Sequence, residues 1–226
     1  MRKLGLALLV AALTGPLSQP TRGAQAPSAD AFARDLQQKY DKVRDFSADF
    51  VQTYRGGVLR QTATERGRLL VKKPGKMRWE YREPERKLFV SDGRKLYSYV
   101  PEDRQVLVTD VPDDDHATTP ALFLAGKGNL TRDFTVTYEN TVQDAPAGTT
   151  VLKLAPRRAE PEYDWLMLAV DPTTLEIRML ITVDAQGGRS TFSLTNLKEN
   201  VGVADKEFAF SIPRGVEVIT DRAAGQ

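Results

Sequence analysis

The alternation of polar and apolar positions changes period once, near residue 45, and that change divides the chain into a helix followed by strands. Phe32, Leu36, Tyr40 and Val43 recur at spacings of four, four and three, while Arg34, Asp35, Gln37, Gln38, Lys39 and Asp41 fall between them. The pattern predicts an amphipathic helix with one dry stripe, started by Ser28 as N-cap and favoured by Asp30 at the positive end of its dipole. From Phe46 onward the period is two. Phe46, Ala48, Phe50 and Gln52 alternate with Ser47, Asp49 and Val51, and Met77, Trp79 and Tyr81 alternate with Arg78, Glu80 and Arg82. Strands with one dry face are expected.

Turn chemistry separates these runs at short intervals: Gly56-Gly57, Pro74-Gly75, Asp92-Gly93, Pro101-Glu102-Asp103, Asp171-Pro172-Thr173 and Gly187-Gly188. Such connections leave no room for crossover helices. The expected fold is therefore mainly β (α+β), a single large, curved antiparallel sheet of about eleven strands paired in sequence order, the last near residues 216–219. One stretch interrupts the strands. After the polar loop Asp113-Asp114-Asp115-His116, Thr119-Pro120 sets up a short helix over 121–125 that carries Leu122, Phe123 and Leu124. So small and apolar a helix needs a partner, and the inner face of the sheet is the surface available, which makes it a lid together with the N-terminal helix.

Composition changes this picture in three ways. Arg2 and Lys3, the apolar run from Leu4 to Leu13 and the small residues after it read as a secretory signal over residues 1–26, cut between 23 and 29, leaving one domain over 27–226. That apolar run is about half of the ~20 residues needed to span a bilayer. Arg2, Lys3 and Arg22 lie in the signal and no acidic residue does, so removing those three from a net charge of +2 leaves −1. A near-neutral mature protein argues against nucleic acid as partner. The densest basic cluster, Lys72, Lys73, Lys76 and Arg78, reads as the solvated ends of two strands. Zero cysteines exclude disulfides, thiolate catalysis and cysteine metal sites, and also a lipid-modified N-terminus, which needs a cysteine after the signal. The protein is expected free in the periplasm.

Catalytic groups are sparse. His116 is the only histidine and sits in a polar loop, a poor base for a Ser-His-Asp triad. Asp113, Asp114 and Asp115 lack the alternating ligand spacing of a calcium loop. Glu80, Glu83 and Glu85 are the nearest carboxylates for glycoside hydrolysis, but Glu80 is out of phase with Trp79 and should face water. Ser91-Asp92-Gly93 meets the demands of a tight hairpin. No catalytic residue, metal or cofactor is expected. Phe192, Leu194, Phe208 and Phe210 read as core. Leu69, Val71, Met77, Trp79, Tyr81, Tyr97 and Tyr99 fit core and cavity lining equally, because two short helices supply few side chains to fill so wide a sheet.

Several stretches together resemble the LolA family of periplasmic carriers, which take lipoproteins from the inner to the outer membrane. They are Val71-Lys72-Lys73-Pro74 with Arg78-Trp79 and Glu83-Pro84, Val90-Ser91-Asp92-Gly93 with Leu96-Tyr97-Ser98-Tyr99, Thr119-Pro120 before an apolar helix, and the ending from Phe208 to Val216. Their order and spacing cover nearly the whole mature chain. The resemblance implies a monomeric, unclosed β-barrel covered by helices, with a hydrophobic interior for acyl chains. It also implies cargo passed from an inner-membrane ABC transporter to an outer-membrane receptor. On that reading Phe46, Ala48, Phe50, Leu69, Val71, Met77, Trp79, Tyr81, Tyr97 and Tyr99 line the acyl-chain cavity, with Met77 and Trp79 against the chains. Phe32, Leu36, Leu122 and Phe123 form the lid. The family often has an arginine before the proline, where it holds the lid shut by hydrogen bonds; here Lys73 takes that place as the expected latch, a point charge without the planar fork. Competing readings are the outer-membrane receptor of the same fold, itself a lipoprotein; a soluble lipid-binding envelope-stress sensor, a type that commonly carries a further domain; and a secreted lipid or glycan hydrolase.

Overall fold

The structure, a computed structural model, describes residues 27–56, 62–111, 124–142, 144–160 and 163–220. The predicted signal segment and the lid residues Leu122 and Phe123 lie outside them, as does His116. Helix α1 (Ala29–Lys42) begins as the sequence predicts, with the Ser28 hydroxyl accepting from the Ala31 amide at 3.2 Å, and it buries Phe32, Ala33, Leu36 and Tyr40. Strands β1 (Asp45–Arg55), β2 (Thr62–Lys72), β3 (Lys76–Glu83), β4 (Lys87–Asp92), β5 (Lys95–Val100) and β6 (Gln105–Asp110) follow. A one-turn helix α2 (Leu130–Asp133), capped by Asn129, leads into β7 (Phe134–Tyr138), β8 (Thr150–Pro156), β9 (Trp165–Val170), β10 (Ile177–Val183) and β11 (Arg189–Glu199). A 3-10 turn (Asp205–Phe208) and β12 (Glu217–Thr220) complete the described chain.

All the strands belong to one sheet, in the order β12-β6-β5-β4-β3-β2-β1-β11-β10-β9-β8-β7. Two meanders, β1 to β6 and β7 to β11, are joined where β1 pairs with β11. The end strands β12 and β7 do not meet, so the barrel is unclosed. One detail of the expected sheet is corrected. Its twelve strands among the described residues agree with the expected number, but the sheet is mixed, because β12 lies parallel to β6. A hairpin fixes antiparallel direction through its turn; β12 returns from β11 through a long connection and no turn constrains it.

The face covered by α1 holds the main core, which includes Phe46, Phe50, Leu69, Val71, Leu154, Leu168 and Leu180. A second apolar cluster lies on the other face of β8 to β10, where Val151, Met167, Ala169, Met179 and Ile181 sit with Val142 and Ala145 of the β7–β8 connection. Both faces of β9 are therefore dry, which explains its unbroken apolar run Trp165 to Val170. No helix among the described residues is long and apolar enough to cross a membrane.

Candidate ligand-binding interior and its latch

Register decides which side chains share the inner face. Met77 stands opposite Val71, Trp79 opposite Leu69 and Tyr81 opposite Gly67, so three rungs cross from β2 to β3. On β1, Phe46 faces Val71, Ala48 faces Leu69 and Phe50 faces Gly67. These residues are buried, except Gly67, which is half-buried. Gly67 has no side chain because Phe50 occupies its place: a Cβ there would lie 2.6 Å from Phe50 Cζ and inside contact distance of the Glu80 carbonyl oxygen. A glycine inside a strand signals such a close approach, and this one went unread at the sequence level.

The aromatic rings of this face touch edge to face. Phe50 is 5.1 Å from Trp79 and 4.8 Å from Tyr81, and Trp79 is 5.4 Å from Phe192, ring centre to ring centre. Phe192, predicted as core, is half-buried and belongs to this set. Burial falls off along β1, from Phe46, Ala48 and Phe50 to half-buried Gln52 and then to Tyr54 at 38% exposure. At that rim the Tyr81 hydroxyl donates to Gln52 Oε1 at 2.6 Å. Burial raises the Tyr81 hydroxyl pKa above its ordinary value, and the nearby Glu65 carboxylate adds to the effect. A dry interior thus grades into a polar rim.

Tyr97 and Tyr99 are not on this face. Met77 pairs with Ser91 and Ser91 with Leu96, so Leu96 points inward and its neighbours outward. Tyr97 and Tyr99 instead pack on Phe210, with ring centres 5.3 and 5.6 Å apart. Their assignment to the cavity lining is corrected by strand parity, and so is Phe210, which is half-buried on the outer side. The basic cluster is also corrected. Lys72 and Lys76 both reach the Asp205 carboxylate, at 2.9 and 3.0 Å, and Arg78 donates to the Glu207 carbonyl oxygen at 3.3 Å. These side chains fasten the 3-10 turn to the outer face instead of standing free in water. Glu80 faces outward as expected, between Arg78 and Arg82.

The cover over the inner face is α1 together with Leu124 and Ala125, the described end of the predicted lid helix, both buried in the main core. The turn after β2 holds both pieces. Lys73 Nζ donates to the Tyr40 carbonyl oxygen in the last turn of α1. The Lys73 amide donates to the Arg44 carbonyl oxygen at 2.8 Å, and the Gly75 amide donates to that of Ala125 at 2.9 Å. The Lys73 stem lies over Gly126, where a Cβ would come within 2.7 Å of Lys73 Cδ. A cleft of about 300 Å³ opens beside it, lined by Gln37, Tyr40, Asp41, Lys73 and Asn129 among others. Burial lowers the pKa of the Lys73 ammonium, with Asp41 pulling the other way. Elsewhere α1 is tied by Lys39 to Glu199 at 2.6 Å, by the Tyr40 hydroxyl accepting from the Ile177 amide at 3.2 Å, and by Gln37 Oε1 accepting from the Leu130 amide at 2.9 Å. Among the described residues no group of three or more Asp, Glu or His is placed to hold a metal ion.

A twelve-stranded open sheet with an aromatic inner face under a tethered helix defines an open-barrel fold with a coverable apolar interior. The chain belongs to the LolA family: residues 41–211 match the model of the outer membrane lipoprotein carrier protein LolA. It is 33% identical over 224 residues to an outer-membrane lipoprotein carrier protein of Chromohalobacter salexigens, covering 98% of this chain and 99% of that one. It is 30% identical over 194 residues to the protein of the same description from Bordetella avium, covering 84% of this chain and 88% of that one. A solved structure of an uncharacterized conserved protein from Thermus thermophilus aligns with a TM-score of 0.51 at 11% identity, over 83% of this chain and 96% of that one, a likeness of fold.

Proposed function

We propose that this protein is a periplasmic carrier that shelters the acyl chains of lipoproteins on its inner face and moves them from an inner-membrane ABC transporter toward an outer-membrane receptor. One observation carries the reading: a continuous aromatic and aliphatic face, Phe46 to Tyr81, lies beneath a helix held by a few polar ties. Family membership, with relatives described as outer-membrane lipoprotein carrier proteins, supports it.

In the closed form the inner face is covered by α1 with Leu124 and Ala125, so acyl chains enter as α1 withdraws. Phe32, Leu36 and Tyr40 then leave the core. At ~1.5–3 kcal/mol per large side chain, opening costs on the order of 5–9 kcal/mol. Roughly 45 methylenes of a triacylated N-terminus, at ~0.8 kcal/mol each, offer on the order of 35 kcal/mol on full burial. Noncovalent affinity saturates near ~20 kcal/mol. Partial shelter combined with a costly opening brings net affinity into a range from which cargo can be released. Lys73 is the latch of this motion, and Met77 and Trp79 are contact residues for the chains. Methionine and aromatic surfaces tolerate chains of differing length.

The test is purification from the native periplasm followed by mass spectrometry of bound lipid, with a synthetic triacylated cysteine peptide as in vitro probe. A co-purified acylated protein and saturable uptake of the peptide are expected. Protein that comes out empty and takes up no peptide, or that hydrolyses the peptide's esters, would overturn the reading.

A further inference from the structure

We propose that the indole N–H of Trp79 hydrogen-bonds the carbonyl oxygen of an ester-linked acyl chain, so that the interior recognises the glyceryl ester linkage as well as hydrocarbon. The inference rests on the carrier reading and adds the chemistry of the group bound. Trp79 is 5% exposed, and its Nε1 is buried with no hydrogen-bond partner among the described residues. Buried donors are nearly always paired, and a buried tryptophan usually finds an acceptor for its N–H. Other polar groups around this interior obey the rule: the Tyr81 hydroxyl bonds Gln52, the Tyr40 hydroxyl accepts from Ile177, and Ser91 Oγ bonds both Gly75 and Gly93. The Trp79 donor stands instead among the side chains of Phe50, Phe192 and Leu69, which offer no lone pair.

Its depth suits the assignment. Trp79 lies two residues below Tyr81 on β3, about 7 Å further in than the level at which Tyr81 meets the rim residue Gln52. A lipid held with its polar head at the rim places its ester carbonyls just beneath, at the level of Trp79, while its chains run on into the space that Phe32 and Leu36 vacate. A carbonyl is a strong acceptor; an ether oxygen is weaker and a methylene is none. Glyceryl esters occur on lipoprotein N-termini and on phospholipids alike, and Trp79 answers to the chemistry they share.

The experiment compares a diacylglyceryl cysteine peptide with its dialkyl-ether counterpart. The unmodified protein is expected to bind the ester form roughly three- to tenfold more tightly, the value of one hydrogen bond, and Trp79→Phe to bind the two forms equally. A second measurement does not depend on that variant folding. Trp165→Phe leaves Trp79 as the only indole, and its N–H proton resonance should move downfield with the ester peptide and not with the ether. Equal affinity of the unmodified protein for both peptides, or an indole resonance indifferent to the ester, overturns the proposal. If the protein binds neither peptide, the carrier reading fails and this one falls with it. A diacyl phosphatidylethanolamine probe identifies the source: a downfield shift supports recognition of any glyceryl ester, and a shift with the lipopeptide alone supports recognition of the lipoprotein linkage.

Discussion

Lys73 joins three segments that are distant in sequence: the end of α1 through Tyr40, the Arg44 connection through its own amide, and Gly126 through its aliphatic stem. Lys73→Ala removes the donor and leaves a carbonyl of the last turn of α1 without it, which should loosen the helix by about 1–2 kcal/mol. Faster hydrogen exchange of the α1 amides is the expected sign, with Lys73→Arg close to the unmodified protein because arginine keeps a charged donor; unchanged exchange in Lys73→Ala would remove the latch role. Gly67 makes a complementary case. In Gly67→Ala the new methyl meets Phe50 and the β3 backbone at once, so a loss of about 1–3 kcal/mol is expected in urea unfolding, and a neutral result would contradict the packing described. At this scale the sequence was read best where one strand sufficed. Met77, Trp79 and Tyr81 were placed together by alternation alone. Tyr97 and Tyr99 were misplaced because alternation says which residues share a face and not which face it is; that required the β3–β4 register across the connection from Pro84 to Arg86, whose path the sequence does not reveal.

Among the elements, α1 was the most legible, since its cap, its dry stripe and its length all follow from local spacing. The C-terminal strap was not, because its anchors are long-range. Asp205 meets Lys72 and Lys76 across more than a hundred residues, and β12 finds β6 without a turn between them. Hydrogen bonds from those two lysines hold the Asp205 carboxyl pKa below its ordinary 3.8. A depressed carboxyl pKa means that the tie is complete above the ordinary value and is lost as pH falls through the lowered one. Spectra of residues 205–220 should therefore be those of the attached strap at pH 7 and should change below pH ~3.8, while Asp205→Asn should show the loosened form at both; a strap indifferent to pH would refute the tie. Phe208 is 1% exposed at the end of this 3-10 turn, and Phe208→Ala should cost about 3 kcal/mol in overall stability.

For the molecule as a whole, the single sheet and its helical cover were foreseeable from the turns and the change of period, and the open edge from the family resemblance, whereas the burial of α1 against the inner face was not. Chain pattern shows that a face is apolar; whether that face meets a ligand or the protein's own helix depends on where α1 comes to rest. The structure places Phe32, Leu36 and Tyr40 in one buried cluster with the inner-face residues of β1 to β3. The account therefore stands on a helix that must leave. The chain has no native cysteine, so Arg34→Cys on α1 and Arg82→Cys on β3, both exposed positions, accept a pair of spin labels without interference. On saturation with a triacylated cysteine peptide, the distance between the labels should lengthen and its distribution broaden. A distribution that stays unchanged while the peptide is bound would contradict the claim that acyl chains enter beneath α1.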